Sequence, residues 1–411
     1  NKLPVLGESL DQLGQKVLSS LENNLLHGQF FRELGMRYYG PIDGHDLVEL
    51  IAVLHKIRDF RGPVLLHVIT QKGLGHSLAE KDPLKYYACS KPSAKPAKPE
   101  KLAQPTRKYS QCFAEALTRA SKSDDRIMAI TAAMAQGTML DTFMRDRPDR
   151  AVDTGIAEAH AITLASGLEV AGMKPVVVIY SSFLQRAYDS VMHDICLQKG
   201  LSTVMAIDRA GLVGDDGPSH HGVFDVAYLR HLPRMIVAAP RDGEELEAML
   251  EWALRQTAPV ALRYPRGDAP ALEYQSRTEI ELGSPEILEK GERVAILAYG
   301  AMVEQAAAAV KILKENGIHP TLVNLRFVKP LSADKLRPIL ESHTLVVTVE
   351  DHVLMGGVGS ALLELIQEHE ITTGRMVRLG VPDRFITFAE RLELLEMLEL
   401  DGPGIARRIL Q

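Results

Sequence analysis

Cysteine is scarce in this chain: Cys89, Cys112 and Cys196 are the three thiols in 411 residues. They fall in no metal-ligand spacing, and so few in so long a chain exclude a disulfide-stapled scaffold. A reducing, cytoplasmic compartment is the expectation. Long apolar runs are missing too. The most hydrophobic stretches, PVVVI from Pro175 and TLVVTV from Thr344, are strand-sized, far short of the roughly 20 residues that a membrane-spanning helix needs. With no signal peptide visible, no membrane partner is expected. Nor is there an excess of positive charge, since 47 Lys and Arg face 53 Asp and Glu for a net charge of -6. Without a basic field to hold a polyanionic backbone, nucleic acid is not an expected partner. No repeat of solenoid period occurs. What remains is 46% hydrophobic and 24% charged residues, the balance of a core-forming globular protein long enough for two or three domains.

The pattern along the chain is α/β. Apolar residues at helical spacing run from Leu10 to Leu25 and again through GHDLVELIAVLHKIRDF from Gly44, followed by the strand PVLLHVIT. Between Ala88 and Arg107 the sequence KPSAKPAKPEKLAQP carries Pro and Lys without period, which reads as an exposed, semi-extended linker. From Lys108 helical stretches alternate with the short runs IMAIT, PVVVIYS, TVMAID, MIVAA and VALRYP, which predicts a parallel sheet covered by helices. A second alternation runs from RVAILAYG through a helix at Met302 to Asn316, then TLVNLRFV, TLVVTVE, a GGVGSALLELIQE helix and MVRLGV. The expected domains are residues 1–88, a linker at 89–107, then 108–279 and 280–411. The chain starts at Asn1 without a Met, so a segment that precedes it in the native protein is expected.

Several segments carry chemistry. In DTGIAEAHAITLASGLEVAG, Glu158 opens a helix rich in small residues; a carboxylate there is commonly only a cap or dipole partner, yet Ala161, Ala165 and Gly167 would let the helix approach a backbone or a flat ring. IYSSFLQRAYDSVMHD places Tyr180 and Phe183 directly after a buried strand, at the edge where open α/β sheets put their ligands. His193 and Asp194, further along that helix, read as a solvated or interface face. AIDRAGLVGDDGPSHHG leads a strand into a long Gly-rich loop with Arg209, Asp215, Asp216, Ser219, His220 and His221, able to pair a phosphate and transfer protons. The same loop also holds metal-ligand types. Arg263 and Arg266, at the end of VALRYPRGD, serve equally as phosphate contacts or salt-bridge partners. Lys72, between glycines and polar residues in VITQKGLGHS, serves as a diphosphate contact or as a turn lysine in solvent.

Taken in order, GPIDGHD, KGLGH with AEKDP, the IAEAHA run, YSSFLQRAYDSVMHD, IDRAGLVGDDGPSHHG, RYPRG, LRFVKPL and VEDHVLMGGVGS resemble the 1-deoxy-D-xylulose 5-phosphate synthase family of transketolase-like thiamine diphosphate enzymes. The resemblance spans nearly the whole chain. It implies tandem parallel-sheet domains: an incomplete diphosphate-binding domain, a pyrimidine-binding domain and a C-terminal domain of mainly structural role. It further implies a decarboxylating condensation of pyruvate with D-glyceraldehyde 3-phosphate, the entry step of isoprenoid precursor synthesis, in a homodimer. By the same resemblance Glu158 hydrogen-bonds the aminopyrimidine so that its imino form removes the thiazolium proton, Phe183 stacks on the pyrimidine, and Ile156 and Lys72 contact the cofactor. Arg209 and Arg266 grip the acceptor phosphate with help from Tyr180, while Asp216 and His220 position the acceptor and move protons.

The match also has gaps. In the family a GDG motif and a later Asn hold the diphosphate through a divalent cation, Mg2+; no GDG occurs here, so no metal ligand is expected in this chain and a separate N-terminal piece is an expected partner. Tyr87 stands where the family has His, and Ala159 where it has Gln. Two rivals are a pyruvate dehydrogenase β-type subunit, which needs no acceptor-phosphate arginines, and a non-catalytic dimerisation or ligand-binding module.

Overall fold

The computed structural model describes residues 28–83, 86, 107–214, 216–274 and 279–411, in two units divided between Lys101 and Leu102. The expected helix at Leu10 to Leu25, nearly all of the expected linker, and Tyr87, Cys89 and Asp215 lie outside the described residues.

In the first unit β1 (Arg37–Asp43) pairs in parallel with β2 (Val64–Ile69), and α1 (Leu47–Ile57) connects them. Asp46 starts α1 by accepting from the N–H groups of Val48 and Glu49, each at 3.0 Å, which satisfies two of the donors that a helix start leaves open. Apolar residues at helical spacing remain uncovered on α1, where Leu47, Val48, Ile51 and Leu54 are all exposed.

The second unit is built on two sheets. One uses β3 (Ile127–Thr131), β4 (Ala151–Asp153), β5 (Lys174–Tyr180), β6 (Val204–Asp208), β7 (Ile236–Ala238) and β8 (Val260–Arg263). The other uses β9 (Glu286–Glu289), β10 (Val294–Ala298), β11 (Thr321–Asn324), β13 (Leu345–Val353) and β14 (Arg375–Val381), while β12 (Phe327–Lys329) returns to the first. The orders are β12-β7-β8-β6-β5-β3-β4 and β14-β13-β10-β11-β9. All pairings are parallel except β12 with β7 and β11 with β9.

Both faces of the seven-stranded sheet are covered, as its near-continuous apolar strands require. On β5, Val176 and Val178 pack with Phe113 and Leu117 on one side. Val177 and Ile179 pack on the other with Ile162 and Ala165 of α2 (Glu158–Val170). Full burial of each such side chain contributes about 1.5–3 kcal/mol.

The run TLVNLRFV, expected as one strand, is two strands in two sheets. Arg326 takes a left-handed backbone, φ 57°, and its guanidinium is buried against Glu245 at 2.6 Å and Glu286 at 3.2 Å. That buried anchorage turns the chain so that Phe327–Lys329 completes the edge of the neighbouring sheet beside β7. Removing one partner of such a buried pair costs about 3–5 kcal/mol.

Strand order also positions the site. β4 and β5 lie on opposite sides of β3, which makes the carboxyl ends of β3 and β5 a switch point of the kind at which open parallel sheets bind ligands.

Candidate functional site

Tyr180 and Asp208 end β5 and β6 in register. Asp208 is 1% exposed; its Oδ2 accepts from Ser110 Oγ at 2.8 Å and its Oδ1 from the Arg209 N–H at 2.6 Å. The second bond holds Arg209 in a left-handed backbone, φ 58°. Burial dominates the nearby arginines and raises the Asp208 carboxyl to about 7.

Arg209 then reaches back over the sheet edge. Its Cζ sits 4.0 Å from the centroid of the Tyr180 ring, a cation against a π face. Its Nη1 donates to Asp216 Oδ2 at 2.7 Å, and Arg266 Nη1 donates to that same oxygen at 2.8 Å. Arg209 Nε is buried with no hydrogen-bond partner among the described residues. Two guanidinium groups thus face one carboxylate, leaving an excess positive charge and spare donors. Such a cluster has the charge and the donors to accept an anion.

The aromatic wall beside it consists of Tyr180, Phe183 and His220, with Phe183 5.7 Å from Tyr180 and 5.3 Å edge-on from His220. Ser219 Oγ lies 3.0 Å from His220 Nδ1. Gly137, in the loop after β3, lets the Tyr180 hydroxyl in: a Cβ there would fall 1.6 Å from it.

Glu158 is the first residue of α2 and only 5% exposed, with no hydrogen-bond or ion-pair partner among the described residues. Ile156, two residues before it, is 80% exposed. Ala161 and Ala165 do not form the ligand-facing surface that their size allowed; they pack into the core under the sheet. Gly167 is exposed, with open space where a Cβ would stand.

The structure separates residues that sequence left together. Arg266 joins the anion cluster, whereas Arg263 is buried, donating to Asp225 at 2.9 Å and to the Tyr299 hydroxyl at 2.5 Å. His220 faces the aromatic wall, whereas His221 is 3% exposed and ties the loop down, accepting from the Val213 N–H at 3.1 Å and lying 3.0 Å from the Thr387 carbonyl. His193 pairs with Asp189 of its own helix at 3.0 Å, and Asp194 accepts from Thr163 at 2.6 Å. Lys72 is exposed after β2 in the first unit. Among the described residues no three His, Cys, Asp or Glu side chains gather as a metal site. Sequence reading missed Asp208 and Gly137. Asp208 had a signal, a carboxylate ending the apolar strand VMAID; Gly137 had none.

Comparison with known proteins agrees with this architecture. Residues 106–271 match the transketolase pyrimidine binding domain, 283–405 the transketolase C-terminal domain, and 1–70 the 1-deoxy-D-xylulose-5-phosphate synthase model. The 1-deoxy-D-xylulose-5-phosphate synthase of Caldanaerobacter subterraneus subsp. tengcongensis is 44% identical over 411 residues, covering 100% of this chain and 65% of the relative. That of Syntrophus aciditrophicus is 44% identical, covering 99% and 63%. The chain therefore spans just under two-thirds of these relatives' length. Among solved structures, a split-gene transketolase described as an inactive beta4 tetramer is similar at TM-score 0.66 and 29% identity, over 74% of this chain and 97% of that one. A transketolase from Pichia stipitis shares the fold at TM-score 0.64 and 21% identity, over 74% of this chain and 46% of its own. No helix among the described residues is long and apolar enough to cross a membrane. With the three models matched along the chain and these relatives aligned over 99% or more of it, this chain belongs to the transketolase-like thiamine diphosphate enzymes, in the 1-deoxy-D-xylulose-5-phosphate synthase family.

Proposed function

We propose that this chain carries the pyrimidine side and the acceptor side of a 1-deoxy-D-xylulose-5-phosphate synthase, which joins pyruvate, with loss of carbon dioxide, to D-glyceraldehyde 3-phosphate. The observation that carries the reading is the convergence of Arg209 and Arg266 on one oxygen of Asp216, beside Tyr180. A phosphate monoester offers three acceptor oxygens and more charge than the carboxylate, so both forks gain partners when it takes Asp216's place. Arg209 Nε adds a buried donor with none of its own. Gripping the phosphate fixes the aldehyde before the new bond forms, which converts binding into rate. Asp216, released from the arginines, positions an acceptor hydroxyl. His220 delivers a proton to the oxygen of the aldehyde as the bond forms.

Thiamine diphosphate, when bound, supplies the nucleophilic carbon that attacks pyruvate. The residues on its pyrimidine side fit it: Glu158 is a buried carboxylate free to accept from a ring nitrogen, Phe183 a half-buried flat ring, and Ile156 an exposed apolar contact. Lys72 would contact the diphosphate. Mg2+ takes no ligand from this chain in the reading. The family supports a homodimer.

A second reading, a module that holds ligand or assembles without turnover, is favoured by the likeness to the split-gene transketolase described as an inactive beta4 tetramer. Product formation from pyruvate and D-glyceraldehyde 3-phosphate, with thiamine diphosphate and Mg2+, decides between them. The first reading expects product when the N-terminal segment of a relative is added, and its loss in Glu158→Gln. Cofactor binding without product, in the presence of that segment, sinks it and leaves the module.

A further inference from the structure

The loop from Arg209 to Gly222 is clasped at its two ends by reciprocal bonds: the Gly211 N–H donates to the Gly222 carbonyl at 2.7 Å, and the Gly222 N–H to the Gly211 carbonyl at 2.8 Å. The clasp sets where Arg209, Asp216 and His220 stand, and it rests on a buried carboxylate of the other domain. Asp351, on β13, is 3% exposed. Its Oδ2 lies against the Gly211 backbone so closely that a Cβ at Gly211, where φ is 76°, would fall 1.9 Å from it. Asp351 Oδ1 is 3.5 Å from Arg263 Nη1 and its Oδ2 is 3.5 Å from Arg391 Nη2. Arg263 in turn donates through Nη2 to the Gly222 carbonyl at 3.4 Å and through Nε and Nη2 to Asp225 at 2.9 and 3.2 Å. Arg391 follows the backbone of Ala389, against which Gly214 packs. Two arginines and two aspartates balance in charge, and they touch the loop at Gly211 on one side and at Gly222 on the other.

We propose that Asp351, from the C-terminal domain, is a positioning residue for the acceptor loop, acting through Arg263, Arg391 and the Gly211 backbone. The C-terminal domain, expected to be mainly structural, thereby sets the spacing of the two arginines that take the acceptor phosphate. A carboxylate wedged between two guanidinium groups holds its place against both, and a neutral side chain of the same shape does not. Loss of its charge loosens the Gly211–Gly222 clasp and leaves the sheet beneath it intact.

The inference rests on the acceptor-site reading, and the test keeps the two apart. Amide hydrogen exchange of the full chain is measured for wild type, Asp351→Asn and Gly211→Ala, the last disturbing the same contact from the loop side. Affinity for D-glyceraldehyde 3-phosphate is measured by titration for these and for Arg266→Gln. Expected for Asp351→Asn and Gly211→Ala are faster exchange at Gly211 and Gly222, unchanged exchange in β5 and β6, and triose phosphate affinity reduced roughly tenfold, the size of one lost charge-assisted contact. Wild-type exchange in the loop overturns the positioning role, and so does equal loosening of loop and sheet. If Arg266→Gln leaves triose phosphate affinity unchanged, the acceptor-site reading itself fails, whatever the exchange shows.

Discussion

Arg209 stacks its guanidinium on the ring of Tyr180, with Cζ 4.0 Å from the ring centroid, and Gly137 gives the Tyr180 hydroxyl the room to lie there. The stack aims the arginine at Asp216. Gly137→Ala would place a methyl 1.6 Å from the Tyr180 hydroxyl and 2.9 Å from the Tyr180 Cζ, so the ring must move and Arg209 with it. Triose phosphate affinity is expected to fall about tenfold, equivalent to ~1.4 kcal/mol. Removing the hydroxyl in Gly137→Ala with Tyr180→Phe recovers part of it; a double variant as weak as the single one shows that the collision is not the cause.

Arg266 makes its contact from an exposed position with Nη1 at 2.8 Å from Asp216. Lysine keeps the charge and loses the planar fork, so Arg266→Lys should raise KM for D-glyceraldehyde 3-phosphate on the order of tenfold and leave KM for pyruvate unmoved. Steady-state kinetics with the N-terminal segment of a relative added, each substrate varied in turn, read the split. An equal rise for both substrates removes Arg266 from the acceptor site.

The adjacent histidines should fail differently. His221→Ala strips a buried acceptor from the Val213 N–H and a partner from the Thr387 carbonyl, costing about 2 kcal/mol in urea unfolding. His220→Ala, at the aromatic wall, should leave stability within roughly 0.5 kcal/mol and, with the N-terminal segment of a relative added, slow turnover on the order of a hundredfold. The reverse pattern would exchange their roles.

Asp208 predicts a pH dependence whose sign is fixed by burial. Its folded-state carboxyl is raised to about 7, from roughly 3.9 in the unfolded chain. The fold therefore favours the neutral form. That contribution is complete below the unfolded value and is lost as pH rises through the folded one. Asparagine cannot ionise, and the Ser110 hydroxyl can turn to accept from its amide. The melting temperature of Asp208→Asn should accordingly gain on wild type by several degrees between pH 5 and pH 8. Parallel melting curves across that range would show that Asp208 is ionised in the fold throughout.

Much of this molecule was written in one dimension. The apolar runs IMAIT, PVVVIYS, TVMAID, MIVAA and VALRYP each supplied a strand of one sheet, because a strand buried on both faces must be apolar at nearly every position. The loop holding Arg209, Asp216 and His220 was legible as a candidate site, since a long Gly-rich segment after a buried strand has no packing reason to carry so many charged groups. Family membership followed from the order of the motifs.

Tertiary structure decided what neighbouring residues of the same type do. Arg263 and Arg266 are three positions apart and equal by composition, yet the first is buried against Asp225 and the second meets Asp216, because the strand ends between them and the chain leaves the core. His220 and His221 are adjacent, and the turn after Gly217 sends one to the aromatic wall and the other to Thr387. TLVNLRFV reads as one strand, and only the buried Glu245 and Glu286 that hold Arg326 divide it between two sheets. Local pattern fixes which segments are strands and helices because their periods are local. Which of two like side chains is drawn into the core depends on contacts with Asp225 and Thr387, and the division of TLVNLRFV on Glu245, each dozens of positions or more away, and no local period encodes them.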